Sequence, residues 1–63
     1  MNEQQELITI SELSQKLKVP VSWLYSRTRE QGENTIPVLK VGKYLRFIYE
    51  DVRQWLEQKQ NNL

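Results

Sequence analysis

The stretch SELSQKLKVPVSWLYSRT, which runs from Ser11 to Thr28, contains two short helical patterns separated by a break at Val19-Pro20. Proline lacks a backbone N–H and is tolerated at the start of a helix, where that group would have no partner. We therefore expect one helix to end before the break. A second helix should begin after it and run from about Val21 to Glu30.

The first helix has a clear start signal. Thr9 followed three residues later by Glu12 is the pattern of a capping box, in which each side chain bonds the backbone N–H of the other residue. Ile10, Leu13 and Leu17 have helical spacing and predict the buried face. The helix should end at Leu17 or at the lysine that follows. Two helices joined in this way are a candidate helix-turn-helix motif.

The second helix is predicted to have an apolar side and a polar side. The side facing the core is formed by Val21, Leu24, Tyr25 and Thr28, with the Tyr25 hydroxyl at the edge of the core and free to bind a phosphate. The opposite side contains hydroxyl and guanidinium donors, which suit phosphates or base edges. These candidate contact residues are Ser22, Ser26 and Arg27. An ordinary solvated helix face is the alternative interpretation.

Trp23 lies outward on the predicted helix, where two interpretations remain open. The indole could contact a thymine methyl group or a sugar. It could also fold over to cover the root of the following hairpin, and packing of this kind is slightly favoured.

The segment VLKVGKYLRFI, residues 38–48, has the pattern of a β-hairpin around Gly42. A two-residue loop, Gly42-Lys43, has glycine in the position that a type II′ turn prefers, but it mixes polar and apolar residues on both faces. A three-residue loop pairs Lys40 with Arg46 and Leu39 with Phe47, which gives one basic and one apolar face. Because burial of one face usually decides register, we predict the three-residue loop.

The segment YEDVRQWLEQKQ, residues 49–60, predicts the last helix. Val52, Trp55 and Leu56 form its expected buried face. The carboxylates of Glu50 and Asp51 suit the positive N-terminal end of a helix. The predicted order of elements is helix, helix, hairpin, helix.

The chain has 63 residues, which corresponds to one small domain. We expect a disordered leader over residues 1–6, the domain over 7–60 and a frayed tail over 61–63. There is no cysteine and no histidine, so disulfides are excluded, and neither a metal site nor a catalytic centre is expected. No cofactor and no enzymatic activity are predicted. No apolar run is long enough to span a membrane, and the expected location is the cytoplasm.

The net charge of +1 is weak evidence for a nucleic-acid partner, but the charges are unevenly distributed. Cations clearly outnumber carboxylates from Lys16 to Arg46. In the hairpin, Lys40, Lys43 and Arg46 lie so close together that they repel one another in the free protein. A DNA backbone would relieve this repulsion, and so would solvation of splayed side chains.

The segments LITISELSQKLKVPVSWLYS and IPVLKVGKYLRFIYEDVRQWL together resemble the excisionase-type helix-turn-helix family, which is related to the DNA-binding heads of MerR-like regulators. The resemblance rests on the capped first helix, Leu24-Tyr25, the basic strand-glycine-basic hairpin and the closing helix with its Trp-Leu pair. Three features depart from the family pattern. Pro20 replaces a common serine cap, the loop 31–36 is longer than in the shortest members, and Ser26 stands where a basic residue is frequent.

The resemblance implies a mainly α fold with a small β-hairpin, that is, a winged helix-turn-helix. It places the second helix in the major groove of DNA and the hairpin, as a wing, along the adjacent minor groove or the backbone. The implied major-groove residues are Ser22, Trp23, Ser26 and Arg27. The implied backbone or wing residues are Tyr25, Arg29, Lys40, Lys43, Tyr44 and Arg46.

The resemblance also implies a recombination directionality factor, which bends double-stranded DNA near an attachment site so that an integrase of the tyrosine recombinase type excises a mobile element. Its expected partners are DNA, the integrase and neighbouring copies of itself, within the nucleoid. A small transcriptional regulator of the same fold is the first alternative. A protein-interaction module, with Trp23 and the hairpin as its contact surface, is the second. Salt-dependent binding to duplex DNA separates this second alternative from the DNA-binding interpretations.

Overall fold

The computed structural model describes residues 6–61, and the side chains of residues 6–59. The elements in chain order are β1 Leu7–Ile8, α1 Ile10–Leu17, α2 Val21–Thr28, β2 Leu39–Val41, β3 Tyr44–Ile48 and α3 Tyr49–Asn61. The predicted order of helix, helix, hairpin and helix is confirmed, with β1 as an additional strand. Most of the expected leader and tail, residues 1–5 and 62–63, lies outside the described residues.

The predicted capping box begins α1. The Glu12 backbone N–H donates to Thr9 Oγ1 at 3.1 Å, and the Thr9 backbone N–H donates to Glu12 Oε1 at 2.9 Å. Leu13 is fully buried on this helix. The helix ends at Leu17, and its C-cap Lys18 has left-handed backbone angles (φ 59°) and donates its N–H to the Ser14 carbonyl at 2.8 Å.

Ser14 holds the turn between α1 and α2. Its hydroxyl donates to the Val19 carbonyl at 2.5 Å, and its own carbonyl accepts from the Val19 N–H at 3.2 Å. Pro20 follows as the N-cap of α2, with extended backbone angles and no side-chain cap. The turn is therefore held by a side chain of the preceding helix rather than by a cap on the second one.

The second helix ends at Thr28, two residues before the predicted end at Glu30. Arg29 has φ −88° and ψ −8°. Its N–H donates to the Ser26 carbonyl, three residues back, at 3.3 Å. The Glu30 N–H likewise reaches the Arg27 carbonyl at 3.2 Å. Bonds to the third preceding carbonyl mark the tightened final turn of a helix.

A three-stranded antiparallel sheet has the order β1-β3-β2. In β1, Leu7 pairs with Ile48 and Ile8 pairs with Phe47. The buried Ile8 joins the core through this pairing. β1 was not predicted, because a strand of two residues shows no alternation that could reveal it.

The predicted hairpin register is wrong. The structure has the two-residue loop, so Lys40 pairs with Leu45 rather than with Arg46, and Leu39 pairs with Arg46. Gly42 is the first residue of the turn and has φ 62°, a conformation that glycine adopts without strain. All of β2 is exposed, so burial does not discriminate between registers there, and the chemistry of the turn decides.

The core lies between the sheet and the three helices. It consists of Ile8, Leu13, Leu24, Ile36, Phe47, Val52 and Trp55. The predicted buried face of α3 is confirmed, with Val52 and Trp55 buried and Leu56 packed against them. Ile36 was not predicted. It is buried although it lies in the loop that leads from α2 to the hairpin.

Candidate nucleic-acid interface

One side of α2 faces solvent and bears polar side chains. Ser22, Tyr25, Ser26 and Arg29 have the spacing i, i+3, i+4, i+7, which places them on a single helix face. Leu24, on the opposite side, is fully buried. Ser26 is half-buried and the other three are exposed. This face, called here the α2 face, presents two hydroxyls, a phenol and a guanidinium.

The placement of Tyr25 corrects the predicted helix faces. We expected this side chain at the edge of the core, with Val21, Leu24 and Thr28. It is 42% exposed and lies on the α2 face. The reason is geometric, because Tyr25 follows Leu24 by 100° around the helix and Leu24 points directly into the core.

Trp23 packs against the core and is half-buried. This placement is packing against the core, while contact of the indole with DNA stays a prediction. The indole also forms a platform for Arg27, whose guanidinium carbon lies 5.2 Å from the centre of the ring. Trp23 and Arg27 therefore lie on the flank of α2, next to the α2 face rather than within it.

Arg27 is held by several contacts. Besides the indole, its Nη2 atom forms an ion pair with Glu30 Oε2 at 2.9 Å. Its Nε atom is buried and has no hydrogen-bond partner among the described residues. The pairing of Arg27 with Glu30 was not predicted, although their i, i+3 spacing is typical of helical ion pairs.

The two faces of the hairpin differ from the predicted basic and apolar faces. Because strand residues alternate, Arg46 and Tyr44 lie on the face opposite to the buried Phe47. The observed register puts Leu39 and Val41 on that outer face as well. Lys40 lies on the inner side, at the exposed edge of the sheet. The cations of the hairpin are therefore divided between its two faces.

Tyr44 lies at the centre of a group of cations on the outer face. Lys43 Nζ is 5.7 Å from the centre of its ring, and the Arg46 guanidinium carbon is 5.4 Å from it. Both distances suit cation–π attraction, which offsets part of the repulsion between the two cations. Arg46 also donates from Nη1 to the Leu45 carbonyl at 2.7 Å. The ring thus holds two positive groups near the tip of the hairpin.

The outer face also exposes large apolar side chains. Leu39 is 44% exposed, Val41 51% and Tyr44 53%, and Leu7 on β1 lies on the same face because it pairs with Ile48. The segment 39–48 contains no carboxylate. This outer sheet face is therefore both apolar and positively charged.

The cations of the hairpin form no ion pair with the described residues. Among the residues that the structure describes, ion pairs form at Arg27 and at Arg53. On α3, Arg53 contacts both Glu50 and Glu57, and the hydrogen bond and charge of Glu50, followed by the charge of Glu57, raise the pKa of Arg53 above its ordinary value. Glu50 and Glu57 of α3 are thus engaged on that helix, whereas Lys40, Lys43 and Arg46 of the hairpin form no ion pair with the described residues.

The described residues offer little for a metal site, a ligand pocket or a membrane span. Over residues 6–61, no group of three carboxylate, histidine or cysteine side chains is placed to hold a metal ion. An open cleft of about 360 Å³ between the loop and α3 is lined by one carboxylate, that of Asp51, beside neutral side chains. None of the described helices has the length and apolar character needed to cross a bilayer.

The comparisons with known proteins agree with this geometry. Residues 7–60 match the family model described as "Helix-turn-helix domain". No curated protein and no solved structure gave a match. The family match covers α1, the turn, α2, the sheet and nearly all of α3. The chain therefore belongs to the helix-turn-helix domain family and is a sequence-specific DNA-binding protein.

Proposed function

We propose that α2 enters the major groove of duplex DNA and that the β2–β3 hairpin acts as a wing on the adjacent minor groove or backbone. The observation that carries this proposal is the α2 face. It is a polar, solvent-facing surface on the second helix of a helix-turn-helix, and the opposite side of that helix is anchored by the fully buried Leu24.

The α2 face supplies two kinds of contact. The hydroxyls of Ser22 and Ser26 donate to and accept from base edges or phosphates. The exposed Arg29 and the Tyr25 hydroxyl suit the phosphates at the rim of the groove. Trp23 supports the helix from its flank, and the exposed part of its half-buried indole contacts the DNA beside the α2 face.

The wing supplies charge. Lys40, Lys43 and Arg46 stand outside the ion pairs that form among the described residues, so each is available to a phosphate. Each phosphate contact releases condensed counterions and makes the affinity depend on salt. Tyr44 keeps Lys43 and Arg46 near the hairpin tip, where they reach the DNA together.

We further infer an excisionase role, from the resemblance to excisionase-type and MerR-like proteins. Several copies bind side by side near an attachment site in the nucleoid, bend the DNA and help an integrase to excise a mobile element. No catalytic group is required of this chain, because a bend changes only the geometry on which a recombinase acts. A small transcriptional regulator would use the same contacts without the bend.

Selection from a random duplex pool tests the DNA-binding proposal. The selected duplex is then titrated at several salt concentrations, with a scrambled duplex of the same composition as the control. We expect tighter binding to the selected duplex and an affinity that falls steeply with salt for both. Equal affinity for the two duplexes would contradict base reading by α2.

Bending and stoichiometry separate the two biological roles. Footprinting on the DNA that surrounds the gene identifies the natural site, and fragments with that site at permuted positions report a bend through their gel mobility. Several copies on bent DNA support the excisionase role. One copy on unbent DNA supports the transcriptional regulator.

The outer sheet face favours a protein-interaction module as a second candidate function. Leu7, Leu39, Val41 and Tyr44 form an exposed apolar surface that DNA phosphates do not require. If this module were the function, the parent protein would bind duplex DNA weakly and without discrimination. The salt titration with the selected and scrambled duplexes distinguishes this module from a DNA-binding protein.

A further inference from the structure

The contacts of Arg27 restrict how its guanidinium can bind a base. A guanidinium binds two acceptors through one of two edges, either Nε with Nη2 or Nη1 with Nη2. Both edges include Nη2. Nη2 carries one N–H on each edge, and its ion pair with Glu30 Oε2 at 2.9 Å places a carboxylate beside the atom that both edges share.

Burial blocks the edge formed by Nε and Nη2. Nε is buried and has no partner among the described residues, so it is a desolvated donor without an acceptor. An unsatisfied donor of this kind raises the free energy of the conformation that contains it. The conformation with Arg27 on Trp23 and Glu30 is therefore easier to open than its contacts alone indicate.

The ion pair itself is weak enough to open. The Arg27 side chain is 30% exposed and the Glu30 side chain 41%, and water and salt screen pairs of this kind. Duplex DNA offers guanine and phosphate acceptors in place of one carboxylate. The DNA phosphates also repel the Glu30 carboxylate, which lies just after the C-terminal end of α2.

We propose that Glu30 is a positioning residue that holds Arg27 away from DNA in the free protein, and that this ion pair opens when α2 enters the groove. The proposal rests on the proposed function and adds a regulator of affinity within the same site. Glu30 lowers the affinity for DNA by the free energy needed to release Arg27.

A double-mutant cycle tests the proposal, with Glu30→Gln, Arg27→Ala and the combined variant, each titrated with the duplex selected for the parent. The matched control is Glu33→Gln, which removes one exposed carboxylate from the neighbouring loop and changes the net charge equally. We expect Glu30→Gln to raise the affinity about two- to five-fold more than the control does, the range that opening an exposed ion pair implies. In the Arg27→Ala background this excess should disappear.

NMR of the Arg27 side chain tests whether the ion pair with Glu30 opens on DNA binding, without a measurement of affinity. In the free parent the Arg27 Nε–H resonance should show the ring-current effect of Trp23, because the guanidinium carbon lies 5.2 Å from the centre of that ring. The selected duplex should shift this resonance strongly, and Glu30→Gln should move the free protein part of the way toward the bound shift. Thermal unfolding of each variant confirms that it is folded.

Three results would overturn the proposal: an equal effect of Glu30→Gln and Glu33→Gln, an excess that persists without Arg27, or a loss of affinity in Glu30→Gln. The last result would mean that Glu30 presents Arg27 to the DNA. A parent protein that binds no duplex would instead refute the proposed function, and this inference with it. The two failures are thus distinguishable.

Discussion

The indole Nε1 of Trp55 donates a 2.7 Å hydrogen bond to the main-chain carbonyl of Asn34, a residue of the loop between α2 and the hairpin. The bond joins two residues that lie 21 positions apart in the chain. The loop also places Ile36 in the core. Trp55 therefore helps to set the position of the wing relative to α2, in addition to filling the core.

Substitution of Trp55 separates its packing from its hydrogen bond. Trp55→Ala should unfold the domain, because truncating a buried tryptophan costs about 3–5 kcal/mol and a core of this size supplies little more. Trp55→Phe should keep most of the packing, lose the bond to Asn34 and cost about 1–3 kcal/mol. Thermal and urea unfolding measure both changes. A cooperative transition of Trp55→Ala near the midpoint of the parent would contradict the buried position of the side chain.

Gly42→Ala tests the observed turn. Gly42 has φ 62°, and an added Cβ would meet no atom within 4 Å, so the substitution introduces backbone strain without a steric clash. We expect a loss of about 1 kcal/mol in the free energy of unfolding. Unfolding in urea measures it, with Lys43→Ala as the control at the other turn position. An unchanged stability would indicate that residue 42 does not need a positive φ.

The parts of the fold that the sequence predicted are those with strong local signals. Thr9 and Glu12 marked the start of α1 because a capping box involves only residues three positions apart. Val52 and Trp55 were found through helical spacing. The hairpin register was missed because we expected one face to be buried, and β2 is exposed throughout. Its pairing follows from Gly42 instead.

Other features depend on contacts between distant residues, which no local pattern reveals. The bond between Trp55 and Asn34 and the pairing of Ile8 with Phe47 are of this kind. Within the candidate interface, the sequence correctly placed Ser22 on the outer side of α2. It placed Tyr25 on the core-facing side of α2 with three other residues, but Tyr25 lies at the edge of that side and is 42% exposed. The ion pair of Arg27 and Glu30 was visible from spacing but was not considered.

Removal of the wing cations should weaken DNA binding without changing its specificity. Lys43→Ala and Arg46→Ala should each lower the affinity for selected and scrambled duplexes by similar factors. Each should also reduce the slope of log affinity against log salt by about 0.9, the value for one lost phosphate contact. Lys59→Ala, which removes a cation from α3, is the control. An unchanged slope in both wing variants would remove the hairpin from the interface.

Arg27 and Ser22 should contribute to sequence discrimination. Arg27→Ala should lower the ratio of selected to scrambled affinity by a factor that corresponds to about 1–3 kcal/mol, because a released guanidinium makes a two-point contact with a base. Ser22→Ala should have a smaller effect of the same sign. Competition between the two duplexes measures the ratio, and Ser11→Ala, an exposed serine on α1, is the control. Retention of the full ratio in Arg27→Ala would show that this residue does not read bases.

The central claim is that α2 and the wing form one DNA-binding surface, and amide chemical-shift mapping tests it most directly. The ¹⁵N-labelled protein is titrated with the selected duplex, and the shift change of each backbone amide is followed. We predict that the large changes fall within residues 22–30 and 39–46, while the exposed side of α3 around Arg53 changes little. Large changes centred on α3, with α2 and the hairpin unaffected, would contradict the account.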